Sequence, residues 1–306
     1  MKYLEMNSFD VFENLATEEY VLNTLTDDSY LLTYQNDDSL VVGKYQNAFQ
    51  EINVVEAEKA GIKVARRISG GGTVFHDRGN LNYAFISSSG KNGLPDYDDF
   101  LTPVISALQQ LGIQAKKRNI CDIAIGDKKI SGSAQAVRGN RILHHGTLLF
   151  HADLYKLQHF LKVSDASIDS KAVQSVPSPV TNISTHLKDA SMTIEEFKTA
   201  LCEQLAGCKN IMYSLTPQDK QAIQQLKAEK YDCWEWNFGK SPDFTLHRNQ
   251  VELCVKHGKI ADCHGTFLSK EMSELLIGQR YGYANLFSLL YPFLQEDTEK
   301  YIKYLF

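Results

Sequence analysis

The chain lacks the features that would mark it for a membrane, an oxidising compartment or a nucleic acid. No apolar run approaches the ~20 residues of a membrane span. Six cysteines are scattered through 306 residues without a C-x-x-C pair, so neither a zinc ribbon nor a disulfide framework is indicated and free thiols are expected. A net charge of -5 and the want of a long basic block argue against binding to a phosphate backbone. The opening MKYLEMNSFD has neither an apolar signal core nor an Arg-rich, acid-poor transit character, which leads to the expectation of a cytoplasmic protein.

What is present is ordinary globular composition, 43% hydrophobic and 23% charged, in a chain longer than one core usually organises. A large domain with a smaller one is expected, divided as 1–246 and 247–306. Helical spacing of apolar residues predicts helices over Glu13 to Leu25 and Asp98 to Leu111. Thr193 and Glu196 form a capping-box signature, and Thr216-Pro217 opens a further helix. Cys121 to Ile125 and Lys129 to Val137 read as a hairpin around Gly126-Asp127. Ser164 to Ser191, polar and carrying Pro177 and Pro179, is expected as a long surface loop. Val251 to Cys263 reads as a second hairpin, and helices follow it to the end.

The most informative stretch is RRISGGGTVFHDRGNLNYAFI, Arg66 to Ile86. Gly70, Gly71 and Gly72 each lose more backbone entropy on folding than other residues, so three together mark a place where the backbone must come close to something. Between two strands they also fit a loose hairpin turn. The guanidinium groups of Arg66 and Arg67 at the mouth favour an anion-binding row of backbone N–H groups.

This string, with KISGSAQ from Lys129, HHGTLL from His144, Val180-Thr181-Asn182 and WEWNFG from Trp234, closely resembles the lipoate-protein ligases. The motifs follow one another in the family's order over most of the first 240 residues. The resemblance implies an α/β fold of α+β type, a large mixed-sheet catalytic domain of the biotin/lipoate ligase kind, with a small α+β accessory domain. It implies that ATP and lipoate form lipoyl-AMP, and that the lipoyl group passes to a lysine of a lipoyl domain of a 2-oxoacid dehydrogenase complex or of the glycine cleavage H protein.

In the matching motifs, Lys129 is the expected catalytic residue, and Arg67, Gly72, Thr73, Val74, Phe75 and Lys129 the ATP contacts. Arg66, Ser69, Lys129 and His145 are expected at lipoate. His76, Asp77, Asn80 and Asp122 fall in the same motifs, and Asp122 is the candidate carboxylate for a magnesium ion accompanying ATP. Gly43-Lys44-Tyr45-Gln46-Asn47 resembles a site-lining loop of the family. Two departures stand out: Ile120-Cys121 interrupts the usual Arg-Asn-Asp, and Ser175-Val176-Pro177-Ser178-Pro179 replaces a stretch in which relatives carry arginines.

Alternatives within reach of the same residues are an octanoyl or lipoyl transferase using a Cys121 thioester and a non-catalytic lipoate-binding protein. A biotin ligase shares the chemistry, but its basic glycine loop differs. The polar Phe244 to Gln250 is expected to be a loose linker that lets residues 247–306 reorient during the reaction, with Ser87 to Gly93 as a second mobile cover.

Overall fold

The computed structural model describes residues 1–88, 96–162, 167–206 and 211–306. Its strands are β1 Lys2–Glu5, β2 Tyr30–Tyr34, β3 Ser39–Val42, β4 Lys63–Arg66, β5 Val74–His76, β6 Asn80–Ser88, β7 Ala115–Lys117 and β8 Asp122–Ile125. They continue as β9 Lys128–Arg138, β10 Arg141–Leu149, β11 Ile168–Ser170, β12 Ile211–Met212, β13 Phe244–Arg248, β14 Val251–Lys256 and β15 Lys259–Gly265. The large mixed sheet runs β12-β1-β2-β6-β10-β9-β8-β7, a three-stranded sheet runs β4-β3-β5, and a four-stranded sheet runs β11-β13-β14-β15.

Strand alternation assigns the two faces of the large sheet. On one face, Leu31, Tyr83, Ile142 and Leu148 pack under the helices Tyr97–Gln110 and Ile194–Ala206. On the other, Leu32, Ala84, Ile86 and Leu143 meet the helix Val11–Thr24 and the small-sheet residues Val41 and Ala65. The second face carries the site, because the small sheet stands off from it far enough to leave a cavity. The expected capping box is present: Thr193 N donates to Glu196 Oε2 at 2.7 Å, and Glu196 N to Thr193 Oγ1 at 3.3 Å. The helix opened by Thr216-Pro217 carries a second, in which Thr216 Oγ1 and Asp219 exchange bonds.

Two expectations fail in the second half of the chain. Phe244 to Arg248 is not a loose linker but strand β13, with Phe244 and Leu246 buried. Phe244 and Leu246 alternate with Thr245 and His247 on the outer face, and the polar run that follows, Arg248 to Gln250, masked that alternation. The Ser164 to Ser191 stretch is not simply a surface loop either: Ile168–Ser170 pairs with β13, and Val180 bridges to Lys129. Of the expected cover, Ser87 and Ser88 end strand β6, and 89–93 lie outside the described residues.

The C-terminal sheet and its helices do not form a separate core. Phe244, Leu246, Leu253, Tyr281 and Leu286 share one apolar cluster with Leu40, Phe49, Ile52 and Phe75 of the small-sheet region. Phe49 makes ring contacts with Phe244 at 5.6 Å and Tyr281 at 4.8 Å. A reorientation of residues 247–306 would open this cluster, so the packing opposes the expected domain movement. Leu253→Ala should therefore cost about 2–5 kcal/mol and lower a single calorimetric transition of the whole chain. A second, separately melting transition would show that the C-terminal part is independent.

Candidate active site

The cavity lies between the large sheet and the small one, about 410 Å³ in volume. Across the sheet its floor runs from Asp122 on β8 to Gly132 and Ala134 on β9, His145 and Thr147 on β10, Asn82 on β6 and Tyr34 on β2. The registers Ala134↔His145, Thr147↔Asn82 and Asn82↔Tyr34 place these on one face. Leu15 of the first helix, Val41, Val74 and His76 close it from the other side, with Arg67 and the Gly71 to Thr73 turn.

Arg67 builds that turn. Its Nη2 donates to Gly70 O at 2.6 Å and Gly72 O at 2.7 Å, its Nε to Ser69 Oγ at 3.0 Å, and its Nη1 to Val41 O at 2.9 Å. Gly71 sits at φ +84°, a conformation that a side chain resists. Thr73 N donates to Ser175 Oγ at 2.9 Å, so an amide expected to hold phosphate is covered by the Val173 to Val176 segment. Ser175 is held in turn by Gln46 Nε2 at 3.0 Å and by the buried carboxylate of Glu51, which accepts from its hydroxyl and its N–H.

Lys129 stands at the other end. Its Nζ lies 2.7 Å from Asp122 Oδ1, with about a quarter of its side chain exposed against 9% for Asp122. A Cβ at Gly132 would come within 2.7 Å of the ammonium, so glycine there keeps the space in which Lys129 lies. The Ile120-Cys121 interruption is a side-chain-capped turn: Asn119 Oδ1 accepts from Cys121 N at 3.0 Å and Asp122 N at 2.9 Å, while Asn119 Nδ2 donates to Asp122 Oδ2 at 2.7 Å. Both Asp122 oxygens are thus engaged. Asp122 orients Lys129, and among the described residues no group of three or more His, Cys, Asp or Glu side chains is gathered that could hold a metal ion by itself. Arg118, whose Nη1 reaches Ser178 Oγ at 2.5 Å, brings a guanidinium to the proline stretch.

Glu18 and Tyr34, which the sequence did not single out, complete the site around His145 and Ser69. His145 Nδ1 meets Glu18 Oε2 at 2.8 Å, its Nε2 meets Ser69 Oγ at 2.6 Å, and Tyr34 OH donates to Glu18 Oε1 at 2.8 Å. Glu18 lies on the buried stripe of its helix with Leu15 and Leu22, and a carboxylate among apolar positions at helical spacing is the signal that could have found it. Burial and the Asp122 charge push the Cys121 thiol above its usual range, away from a reactive thiolate.

Of the expected residues, Arg67, Gly72, Thr73, Val74, His76, Asp122, Lys129 and His145 line the cavity; Arg66, Ser69, Phe75 and Asn80 do not. Phe75 is core, stacked on Phe160. Asn80 stands behind the wall and donates to Asn82 Oδ1 at 3.1 Å, Ser69 joins Arg67 to His145, and Asp77 accepts from the N–H groups of Gly79 and Asp153. Arg66 is the clearest correction. Its guanidinium is fully buried and donates to the carbonyls of Gly43 at 2.8 Å, Gln46 at 2.7 Å and Asn237 at 2.9 Å, and to Ser241 Oγ at 3.0 Å. With five N–H groups turned inward, it cannot also receive a carboxylate from the cavity.

The lipoyl protein ligase A/B catalytic domain model matches residues 10–206. The chain belongs to this family. It is 40% identical to the lipoate-protein ligase LplJ of Bacillus subtilis over 287 residues, 88% of this chain and 86% of the relative. It is 41% identical to lipoate-protein ligase 1 of Staphylococcus aureus, over 85% and 82% of the two chains. Among solved structures it is similar to a lipoate-protein ligase A bound with ATP, at a TM-score of 0.66 and 28% identity, over 78% of this chain and 98% of that one. A Thermoplasma acidophilum protein with bound lipoic acid matches at a TM-score of 0.64 and 27% identity, with the same coverage.

The motif WEWNFG is a clamp on Arg66: Trp236 Nε1 donates to Arg66 O at 2.7 Å, and Asn237 Oδ1 accepts from Arg66 N at 2.9 Å. Arg66→Lys should leave several buried carbonyls unpaired and destabilise the protein by about 3 kcal/mol or more, seen as a lowered melting temperature. A variant of native stability with a weakened affinity for lipoate would return Arg66 to the acyl site.

Proposed function

We propose that this chain is an ATP-dependent lipoate-protein ligase working through Lys129. In the first step a lipoate carboxylate oxygen attacks the α-phosphorus of ATP; the new O–P bond gives lipoyl-AMP and pyrophosphate leaves. In the second, the amine of an acceptor lysine attacks the acyl carbon, the C–O bond to AMP breaks, and an amide is formed. The observation that carries this reading is the position of Lys129 in the lining of the cavity, in the space that Gly132 leaves beside it. Of the two permanent cations lining the cavity, Arg67 spends its donors on the glycine turn, whereas the Lys129 ammonium has donors beyond its contact with Asp122.

A compact ammonium there neutralises the repulsion between carboxylate and α-phosphate and then polarises the acyl-adenylate carbonyl. The glycine turn, with Thr73 and Val74, is the proposed seat of the phosphates. Magnesium would accompany ATP, and Asp122 in the cavity lining is the carboxylate that would help to hold it. The acyl chain is proposed to lie along the floor past His145. The proposed acceptors are lipoyl domains of 2-oxoacid dehydrogenase complexes or the glycine cleavage H protein. Support comes from the similarity, at a TM-score of 0.67 and 27% identity, to a bi-partite Thermoplasma acidophilum ligase described with its E2 lipoyl domain. A cytoplasmic location belongs to the same proposal, since ATP is a reactant.

Lys129→Ala should lower lipoate-dependent pyrophosphate release at least about a hundredfold with a native circular dichroism spectrum. Lys129→Arg should not restore it, because the planar fork does not fit the space beside Gly132. Near-normal release by the alanine variant would defeat the assignment.

The transferase reading depends on Cys121, whose thiol is held protonated by its surroundings. Cys121→Ser should retain ATP-dependent lipoylation of an acceptor domain. An acyl-enzyme adduct seen by mass spectrometry, and lost in the serine variant, would favour the transferase.

A further inference from the structure

The exposed part of the cavity lining comes from two short segments, Asn119 and Cys121 on one side and Val173 to Val176 on the other. Ile120 stands between the first two. It is two residues, and so at most about 7 Å of chain, from Asp122, whose carboxylate meets the Lys129 ammonium. Ile120 is 69% exposed and Val176 more so. Val173 and Tyr45, joined by a bond from Val173 N to Tyr45 O at 3.4 Å, are exposed beside them. Single exposed apolar side chains are ordinary on a protein surface, but of the twelve large ones among the described residues these four gather at one opening.

The turn that carries Ile120 is held at both ends. Arg118 N donates to Asp122 O at 3.0 Å, Asn119 Oδ1 accepts from Cys121 N at 3.0 Å, and Ser133 donates from both its N–H and its hydroxyl to Cys121 O at 2.9 Å. An apolar side chain on such a turn is already ordered, so a partner that covers it loses little to the ordering of backbone. Positive charge surrounds it. Lys116 on β7, Arg118 in the turn and Lys128 at the start of β9 are all exposed, in a chain whose net charge is -5. Asp127 is the one exposed carboxylate of the β8 to β9 hairpin, and Asp98 is paired with Lys117.

We propose that Ile120 anchors the docking surface for the acceptor lipoyl domain, and that the matching face of that domain sets an apolar residue among acidic side chains next to its target lysine. The proposal rests on the ligase reading and adds to it the surface by which the acceptor is chosen. A lysine reaches outward on a stem of four carbons, so the protein face that bears it has to settle on the rim where the Ile120 turn and Val176 stand. There it covers the exposed apolar side chains and leaves the charges at the edge, the arrangement of a protein interface. Ile120-Cys121 is also the stretch that departs from the family's Arg-Asn-Asp, so this contact belongs to this chain and not to the family's common site. Ile120 is a specificity-determining residue here and takes no part in bond making.

The test separates docking from chemistry in the full chain. Ile120→Ser is supplied with preformed lipoyl-AMP and one of two nucleophiles: an E2 lipoyl domain, or hydroxylamine, whose nitrogen attacks the acyl carbon to give the hydroxamate and AMP without any docking. The KM for the domain should rise about tenfold, while hydroxamate formation and lipoate-dependent pyrophosphate release stay within about twofold of the wild type. Ile120→Leu, which keeps an apolar side chain of the same size, should hold the wild-type KM. On the wild type, raising the ionic strength to about 0.5 M should raise the KM for the domain and leave hydroxamate formation unchanged, because salt screens exposed charges. An unchanged KM for the domain in Ile120→Ser overturns the proposal, and so does an equal loss with hydroxylamine, which would place Ile120 in the catalytic frame; a KM indifferent to salt overturns the acidic partner face. If the wild type releases no pyrophosphate with lipoate, the ligase reading itself has failed, and this surface with it.

Discussion

Two adjacent buried guanidinium groups hold the site together. A charge withdrawn from water is tolerated only when its hydrogen-bonding capacity is filled, and Arg66 and Arg67 fill theirs largely with backbone carbonyls. Each ties together segments far apart in the chain. Arg66 joins the Gly43 to Gln46 loop to Asn237 and Ser241, while Arg67 joins Val41 to the turn at Gly70 and Gly72. Burial pushes both down to about 10, which still leaves them charged at neutral pH. The arginine pair is therefore first a construction device. It fixes the glycine turn against the small sheet, and only then can the turn face a ligand.

This explains why motifs far apart in sequence travel together. The WEWNFG segment touches no part of the cavity, yet Trp236 and Asn237 grip the backbone of Arg66 on both sides. Gln46 closes the loop from the other direction, its Oε1 accepting from Gly43 N at 3.0 Å and from Thr73 Oγ1 at 2.9 Å. A sequence reader sees such residues as site motifs because they lie close to the site. Their hydrogen bonds place them one layer behind it.

What was legible in the sequence was what local chemistry determines. Strand alternation, the Thr193 to Glu196 box and the Gly126-Asp127 turn depend on neighbours a few residues away, and they appear where expected. The close packing around Lys129 was legible in the small residues that follow it, since Gly132 must leave space for the ammonium. The rest depends on contacts between residues far apart in the chain. No local pattern tells that Ser175 lies over Thr73, that Glu51 holds Ser175, or that Ile168–Ser170 adds an edge to the C-terminal sheet. Arg66 and Arg67 read alike in sequence, and only the tertiary partners separate the buried frame from the cavity wall.

The same contacts rank what can move to admit an acceptor lysine. Displacing the C-terminal sheet exposes Phe244, Leu246, Leu253 and Tyr281, each worth about 1.5–3 kcal/mol in buried apolar surface. The Val173 to Val176 cover has no such anchor: Val173 is exposed, and Val176 is 89% exposed. It is held through Ser175 by polar contacts with Thr73, Gln46 and Glu51, and hydrogen bonds of this kind contribute about 1 kcal/mol each once exchange with water is counted. The cover also occupies the Thr73 amide, through Ser175 Oγ, at the turn proposed to seat the phosphates. By both measures the Val173 to Val176 cover is held less firmly than the C-terminal sheet.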